Sequence, residues 1–355
     1  MTVTGPIALR DPVEVAPRRG LLGRSWTRSA GLVLCVVGVG VMVVASIAIG
    51  AKSIAPGTVL DAIFAFDASI DDHLIVRELR LPRTAIALVV GAALGLAGGV
   101  MQGVTRNPLA DPGLLGVNAG ASVAVVLGID VLDVTAPLGY VWFAFGGAAF
   151  AGFVVYVLGA MGRGGATPVK LAIAGAAISA LLGSITAALL ILDAATLDQF
   201  RFWSVGSTAG RDVDLTVPLL PFLAVGALLA LLSGRALNGL ALGEDVARSL
   251  GQRVGWVQAV AALSVVLLCG GATAAAGPIA FVGLTVPHVA RAVTGPDHRW
   301  LLPYSMFLGA ILLVAADVVG RIIARPGELE VGIVTAFLGA PVFIAFVRRR
   351  KIAEL

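Results

Sequence analysis

Charged side chains are scarce in this chain: Asp, Glu, Lys and Arg make up 13% of its 355 residues. A soluble domain usually carries about 25% charged residues. The hydrophobic share is 58%, and it falls in stretches of about 17–24 residues, the length that crosses a bilayer as a helix. The composition excludes an ordinary soluble domain and predicts an all-α polytopic membrane protein.

Cysteine and histidine are scarce as well, with two and three residues respectively. Cys35 and Cys269 lie in separate apolar stretches, and neither the count nor the setting indicates a disulfide framework. His73, His288 and His298 show no spacing that suits metal ligands. We therefore predict no metal site and no cofactor.

Lysine occurs only three times, and no lysine follows a glycine. The phosphate-binding motif GxxxxGKS/T is therefore absent, as are a nucleophile elbow and the HExxH zinc motif. We predict a non-catalytic protein. If it moves a solute uphill, the energy comes from elsewhere, and a separate ATPase docked on a cytoplasmic helix would supply it.

The apolar stretches predict about ten transmembrane helices. Their residue ranges are 29–50, 82–104, 114–129, 137–160, 170–192, 215–233, 254–276, 278–293, 303–324 and 331–347. The first stretch is longer than a signal-peptide core of about 7–15 residues, which favours an uncleaved span. The predicted organisation is a polar N-terminal tail at 1–28, a transmembrane domain at 29–347 and a C-terminal tail at 348–355.

Basic residues are divided unevenly between the two sides of this topology. With the N-terminus in the cytoplasm, 17 of the 25 Lys and Arg residues fall on the cytoplasmic side and 8 on the outer side. Cytoplasmic loops carry the excess of basic residues in membrane proteins. The distribution predicts that both termini are cytoplasmic, in agreement with an even number of spans.

One polar segment, ALGEDVARSLG at 241–251, interrupts the apolar sequence between the sixth and seventh spans. Leu242, Val246 and Leu250 recur at every fourth position, so a short helix would carry one apolar stripe. The topology puts this segment in the cytoplasm. We predict a docking helix here, with a solvated loop as the alternative.

Glycine recurs at every fourth position in the second span, at Gly91, Gly95, Gly99 and Gly103. On a helix these positions form one smooth strip. Small residues at this spacing let two helices approach closely in lipid, where apolar burial provides no driving force. The strip predicts tight helix packing, and direct contact with a substrate is the alternative.

Ionisable residues are nearly absent from the predicted spans, and Asp317 is the clear exception. An acidic residue inside the membrane is a functional candidate by default. Arg321 lies four residues further on and on the same helical face, so an ion pair is the simpler interpretation. The alternative is a proton relay in a carrier that is driven by an ion gradient.

Four long stretches together resemble the membrane-spanning permeases of bacterial ABC importers for iron-siderophores, haem and cobalamin, the FecCD family. They are residues 80–121, the segment LNGLALGEDVARSLG at 237–251, residues 277–303 and residues 316–347. Their order and spacing fit nearly the whole chain after the N-terminal tail. The resemblance implies a permease of the bacterial cytoplasmic (inner) membrane, for a ferric siderophore or similar iron chelate, with haem or cobalamin as alternatives.

The resemblance also implies partners and an internal symmetry. The partners are a second permease copy or a paralogous permease, a cytoplasmic ABC ATPase dimer and an extracytoplasmic substrate-binding protein. All of them would assemble around a chain that sits in the lipid bilayer, and no nucleic acid is implied. Helices two to five and seven to ten would form an inverted repeat, an arrangement that is common in transporters.

Two cytoplasmic sites are implied by the match to the family. The coupling segment, about 235–253, would contact the ATPase. Its contact residues would be Gly243, Glu244, Ala247, Arg248, Leu250 and Gly251. The turn at 162–170 would form part of an inner gate, with Ala166 and Thr167 as candidates for the constriction.

On the outer face, the resemblance implies that arginines hold glutamates of the substrate-binding protein. Arg80 and Arg83 flank the start of the second span, and Arg321 matches a third such position. Arginine suits this task because its planar guanidinium group can donate hydrogen bonds to both carboxylate oxygens. Anchoring at the membrane interface is the alternative for Arg80 and Arg83, and pairing with Asp317 is the alternative for Arg321.

Overall fold

The structure, a computed structural model, describes residues 21–22, 25–132, 134, 137–162, 167–211, 213–325 and 327–349. This part of the chain is built of helices and contains no β-strand. Its sixteen α-helices are numbered α1 to α16. A π-helix at Ile75–Arg80 and 3₁₀ turns at Pro112–Leu115 and Val217–Leu219 adjoin them. The all-α prediction is confirmed.

The ten predicted spans all coincide with helices. The first half contains α1 Ser25–Ala48, α2 Pro56–Phe64, α3 Asp71–Leu74, α4 Leu81–Thr105, α5 Val117–Leu132, α6 Pro137–Ala160, α7 Pro168–Leu192 and α8 Ala194–Ser204. The second half contains α9 Val213–Thr216, α10 Leu220–Leu232, α11 Gly234–Leu240, α12 Glu244–Ser249, α13 Val254–Ala276, α14 Val282–Thr294, α15 His298–Ile323 and α16 Val331–Arg349. The spans fall, in order, on α1, α4, α5, α6, α7, α10, α13, α14, α15 and α16.

Six helical stretches in the described residues are long and apolar enough to cross a membrane. They are α1, the run from α3 to α4, α6, α7, α13 and α15. The helices α10 and α11 pass the same test as a pair that is bent by 50°. Because α5 and α16 are shorter apolar helices, the full count of ten crossings stays a prediction.

Helix boundaries differ from the prediction where local chemistry decides them. α15 begins at His298, inside a predicted loop, because Asp297 caps it and accepts a backbone N–H of the first turn. α14 begins at residue 282 rather than 278, because Gly277 and Phe281 have φ angles of 77° and 68° that lie outside the helical region. The 13 residues of α14 make a helix of about 20 Å, short of the ~30 Å hydrocarbon core.

The centre of the bundle is the antiparallel pair of α4 and α15, which packs along the glycine strip. A Cβ added at any of the four strip glycines would collide with α15. At Gly91 and Gly95 the obstacle is backbone, namely the carbonyl oxygens of Gly309 and Ser305. Helices approach this closely only where side chains are absent. The strip therefore serves helix packing and faces α15.

A fifth glycine of α4, Gly98, faces α14. A Cβ at Gly98 would collide with the carbonyl oxygen of Gly283, and a Cβ at Gly283 would lie 2.8 Å from Cδ of Pro112. The break before α5 and the break before α14 therefore meet beside the middle of α4. Each break ends on a left-handed residue, Gly116 (φ 71°) and Phe281 (φ 68°). Interrupted helices of this kind are typical of the repeat interface in transporters.

We expect Gly95→Ala to destabilise the fold, because the new methyl group would collide with backbone, which has no alternative rotamer. Overpacking of this kind costs about 1–3 kcal/mol. Gly40→Ala in α1 and Gly183→Ala in α7 are matched controls, since nothing lies within 4 Å of either added Cβ. Both should be neutral or slightly stabilising. Thermal unfolding in detergent measures the difference, and equal midpoints for all three variants would contradict the packing role.

Candidate functional site

The polar segment between the sixth and seventh spans folds as the short helix α12. Gly243 precedes it with φ of 105° and Gly251 follows it with φ of 83°, conformations that favour glycine. Glu244 and Asp245 lie in the first turn and Arg248 in the last turn, the arrangement that the helix dipole favours. The segment is therefore a helix because its own sequence specifies one.

The apolar stripe of this segment faces away from the described part of the chain. Leu242, Val246 and Leu250 are 63%, 44% and 66% exposed. An exposed group of large apolar side chains with polar neighbours is typical of a contact surface. Ala247 is fully buried against the bundle. The helix turns this position inward, so Leu242, Val246 and Leu250 form the exposed surface, and a contact of Ala247 with a partner stays a prediction.

Charged and polar contacts hold α12 against the neighbouring helices. One carboxylate oxygen of Glu244 lies 2.9 Å from Arg248 Nη2, within the same helix. The other oxygen lies 3.9 Å from Arg106 Nη2 and accepts a hydrogen bond from Gln258 Nε2 at 3.4 Å. Since Arg106 ends α4 and Gln258 lies near the start of α13, Glu244 ties α12 to both helices.

At the opposite end of the bundle, Asp317 of α15 is the centre of a buried ion network. Its Oδ1 accepts hydrogen bonds from Arg83 Nε and from the Thr208 hydroxyl, each at 2.8 Å. Arg321 Nη2 lies 2.8 Å from Oδ2. Arg83 also pairs with Glu328, in the segment that follows α15. The ion pair predicted between Asp317 and Arg321 is present, and a second arginine joins it from α4.

Arginines also cap the C-terminus of α1 at this end of the bundle. Arg80 Nη1 donates to the carbonyl oxygens of Ile47 at 2.6 Å and Ala48 at 2.9 Å. Arg321 Nη1 donates to the carbonyl oxygen of Ser46 at 2.9 Å. The last four carbonyl groups of a helix have no partner within it, and a positive charge there is favoured by the helix dipole. The two arginines therefore fix the end of α1 to α4 and α15.

The sequence profile of the FecCD transport family matches residues 38–349. This chain belongs to the FecCD transport family. It is 49% identical over 306 residues to the ferric enterobactin transport system permease protein FepD of Escherichia coli (strain K12). This match covers 86% of this chain and 91% of FepD. It is also 42% identical over 320 residues to the Fe(3+)-citrate import system permease protein YfmD of Bacillus subtilis (strain 168). This second match covers 90% of this chain and 93% of YfmD.

A solved structure supports the same assignment at the level of the fold. An inward-facing metal-chelate type ABC transporter superposes with a TM-score of 0.78 at 27% sequence identity. The superposition covers 91% of this chain and all of the other. The resemblance that was drawn from the four sequence stretches is therefore confirmed, and so is the all-helical transporter fold.

For this member of the FecCD family, burial changes what is expected of the three outer arginines. Arg80, Arg83 and Arg321 are only 4%, 9% and 2% exposed. In this chain internal carboxylates and carbonyl groups already occupy the three guanidinium groups. A docking role at these positions would require an exchange of those partners, and it stays a prediction.

The predicted inner gate of this FecCD protein is described only in part. Ala166 lies outside the described residues. Thr167 is the N-cap of α7, where its hydroxyl accepts the backbone N–H of Lys170 at 3.4 Å. Capping gives Thr167 a structural role, and its role in a gate stays a prediction. Among the residues that the structure covers, no group of three or more His, Cys, Asp or Glu is placed to hold a metal ion.

Sequence reasoning missed those contacts that join distant parts of the FecCD chain. Arg83 is 234 residues from Asp317 and 245 residues from Glu328, and Thr208 lies between two short helices. One signal did exist, because a charge buried in an apolar region has to be paired. That rule says that Arg83 needs a carboxylate, but it does not say which one.

Asp317→Asn should destabilise the fold by about 3–5 kcal/mol, the usual cost of removing one member of a buried pair. The reason is that Arg83 and Arg321 would lose the carboxylate that lies between them. Asp198→Asn is the control, because the ion pair of Asp198 with Arg201 is exposed and such pairs contribute at most about 1 kcal/mol. Thermal unfolding in detergent compares the two variants. A stable Asp317→Asn protein that loses only transport would support a proton relay instead.

Proposed function

We propose that this chain is the permease subunit of a bacterial ABC importer that carries a ferric siderophore or a similar iron chelate across the cytoplasmic membrane. Membership of the FecCD family supports the proposal. The names of the two relatives add to it, since one transports ferric enterobactin and the other imports Fe(3+)-citrate. Haem or cobalamin is the alternative substrate within the same mechanism.

The exposed stripe on and beside α12 is the observation that carries this proposal. Because the sequence has no nucleotide-binding motif, ATP-driven transport would require a separate ATPase, and Leu242, Val246 and Leu250 offer that ATPase an apolar contact. The stripe lies at the end of the bundle that the basic residues predict to be cytoplasmic. Gly243 and Gly251, with their positive φ angles, mark the start and the end of the helix that carries the stripe. We assign a cassette ATPase dimer as its occupant, so that the chain itself is not an enzyme.

The rest of the assembly follows from the family. A second permease copy, or a paralogous permease, would form the substrate path together with this chain, and both termini would be cytoplasmic. A substrate-binding protein would deliver the chelate at the outer end. There the partly exposed carboxylate of Glu328 covers Arg83, while Arg80 and Arg321 hold α1 in place. An inverted repeat agrees with the paired breaks before α5 and α14.

An ion-driven secondary carrier is the rival from another class of transporter, with Asp317 as its titrating group. Asp317 is fully buried, and its two oxygens are engaged by Arg83, Arg321 and Thr208. A group that exchanges protons with water needs access to water. The geometry of Asp317 therefore favours a structural ion network and the ATP-driven mechanism.

Cysteine at position 242 or 250 should cross-link to the cassette ATPase. Leu242→Cys and Leu250→Cys place a thiol on the exposed stripe, in a background where serine replaces Cys35 and Cys269. Ala247→Cys is the matched control, because the same helix buries that position. Mass spectrometry of the cross-linked complex identifies the partner. If neither exposed position cross-links in any nucleotide state, the ATPase does not dock on α12.

Deleting the gene should abolish uptake of a labelled ferric siderophore and leave cobalamin uptake intact. When the gene is returned to the deletion strain, the restored uptake should depend on ATP and persist when an uncoupler dissipates the proton gradient. The purified permease should hydrolyse no ATP alone, whereas its complex with the cassette protein should do so. Uptake that stops with the uncoupler but continues without ATP would overturn the proposal in favour of a secondary carrier. Loss of cobalamin uptake instead would change the substrate and keep the mechanism.

A further inference from the structure

The helix α11 leads into α12 and lies across the N-terminus of α15. A Cβ added to Gly234, its first residue, would lie 3.3 Å from both N and Cα of Arg299. Leu237 and Leu240 of α11 are also buried. One side of α11 is therefore packed firmly on the bundle. Asn238 lies on that side, one helical turn after Gly234.

Asn238 uses both ends of its amide group on the N-terminal cap of α15. Its Oδ1 accepts the backbone N–H of His298 at 2.9 Å and lies 2.9 Å from Nδ1 of the same histidine. Its Nδ2 donates to Asp297 Oδ1 at 2.6 Å. A backbone N–H only donates and a carboxylate only accepts, so these contacts fix the amide orientation and put the histidine proton on Nδ1.

The ring of His298 extends this joint to α4. The residue is 6% exposed, and a Cβ added at Gly103 would lie 2.8 Å from Nε2 of the ring. The same Cβ would lie 3.2 Å from Leu237 Cδ1 of α11. Three helices therefore meet at Gly103, the last glycine of the strip, and the ring fits there because position 103 has no side chain.

We propose that Asn238 and His298 form the link through which movement of α12 reaches α15 and α4. This inference rests on the proposed function, in which a cassette ATPase moves α12. Only three residues separate α11 from α12, so a displacement of α12 also displaces α11. Asn238 then passes the displacement to the cap of α15. Both residues are positioning residues, because neither lies on the exposed stripe.

A second route from α12 to α4 exists, and it is the weaker one. Arg106 Nη2 lies 3.9 Å from Glu244, and the arginine side chain is 41% exposed. Exposed ion pairs contribute at most about 1 kcal/mol and hold no fixed geometry. The three hydrogen bonds of Asn238 are short, at 2.6–2.9 Å, and partly buried, and leaving such groups without partners is costly. The Asn238–His298 joint is therefore the stiffer connection.

Three variants test this link in the complete transporter, reconstituted in proteoliposomes with its cassette ATPase and substrate-binding protein. Asn238→Ala removes the joint. His298→Gln moves the side-chain N–H toward the position of Nε2, whereas His298→Asn keeps an N–H near the position of Nδ1. The measured quantity is the amount of ferric siderophore taken up per ATP hydrolysed. We expect it to fall about tenfold for Asn238→Ala and His298→Gln, as for the loss of a partly buried hydrogen bond, and to be restored largely in His298→Asn.

A purely structural role predicts a different pattern. All three variants would then lose uptake and hydrolysis in the same proportion as they lose folded complex, which size-exclusion chromatography measures. That result would overturn the proposal, as would an unchanged uptake per ATP in Asn238→Ala and His298→Gln. If the unmodified complex shows no ATP-driven uptake, the proposed function fails instead, so that the two failures are distinguishable.

A cross-link provides a test that does not depend on the stability of these variants. Asn238→Cys and Asp297→Cys, combined with serine at Cys35 and Cys269, can be joined by a short reducible bifunctional thiol reagent. If α11 and α15 move together, joining them should raise uptake per ATP above that of the reduced protein. If the cross-link abolishes uptake while hydrolysis continues, α11 has to move relative to α15, and the proposal is wrong.

Discussion

The close approach of α4 and α15 is the contact on which the rest of the structure depends. In lipid, apolar burial does not drive helices together, so backbone packing has to hold them. The glycine strip provides that packing along the second half of α4, from Gly91 to Gly103. Because the two axes are fixed, polar groups meet at both ends of the pair. Arg83 reaches Asp317 at one end, and His298 fits against Gly103 at the other.

The end of the pair that contains Asp317 shows how the protein keeps several arginines away from water. An unpaired buried charge is very unfavourable, and the carboxylates of Asp317 and Glu328 are too few for Arg80, Arg83 and Arg321. The C-terminal carbonyl groups of α1 supply the missing acceptors. Those carbonyl groups lack partners within their own helix, so one arrangement satisfies both needs. It also anchors α1, whose apolar surface is mostly unburied within this single chain.

Much of this architecture could be predicted from local patterns. The helices at the ten predicted positions, the ion pair of Asp317 with Arg321 and the helix α12 each depend on residues within a few turns of one another. Contacts between distant segments were not predictable in this way, and Asn238 with His298, 60 residues apart, is an example. The burial of Arg80 could not be predicted for a related reason. An arginine at a helix start has the same sequence pattern whether it faces water or the end of α1.

The two ends of the α4–α15 pair are built differently, and this difference bears on the proposed transmission of movement from α12. At the end that contains Asp317, the buried side chains of Arg80, Arg83, Asp317 and Arg321 each have several partners. At the other end an exposed stripe is joined to the pair through the side chain of Asn238. Sliding of α15 along α4 is opposed by backbone contact at Gly91 and Gly95 and by side-chain contact at Gly99 and Gly103, since close-packed surfaces do not deform gradually. A displacement that enters at His298 would therefore move α4 and α15 together as one body.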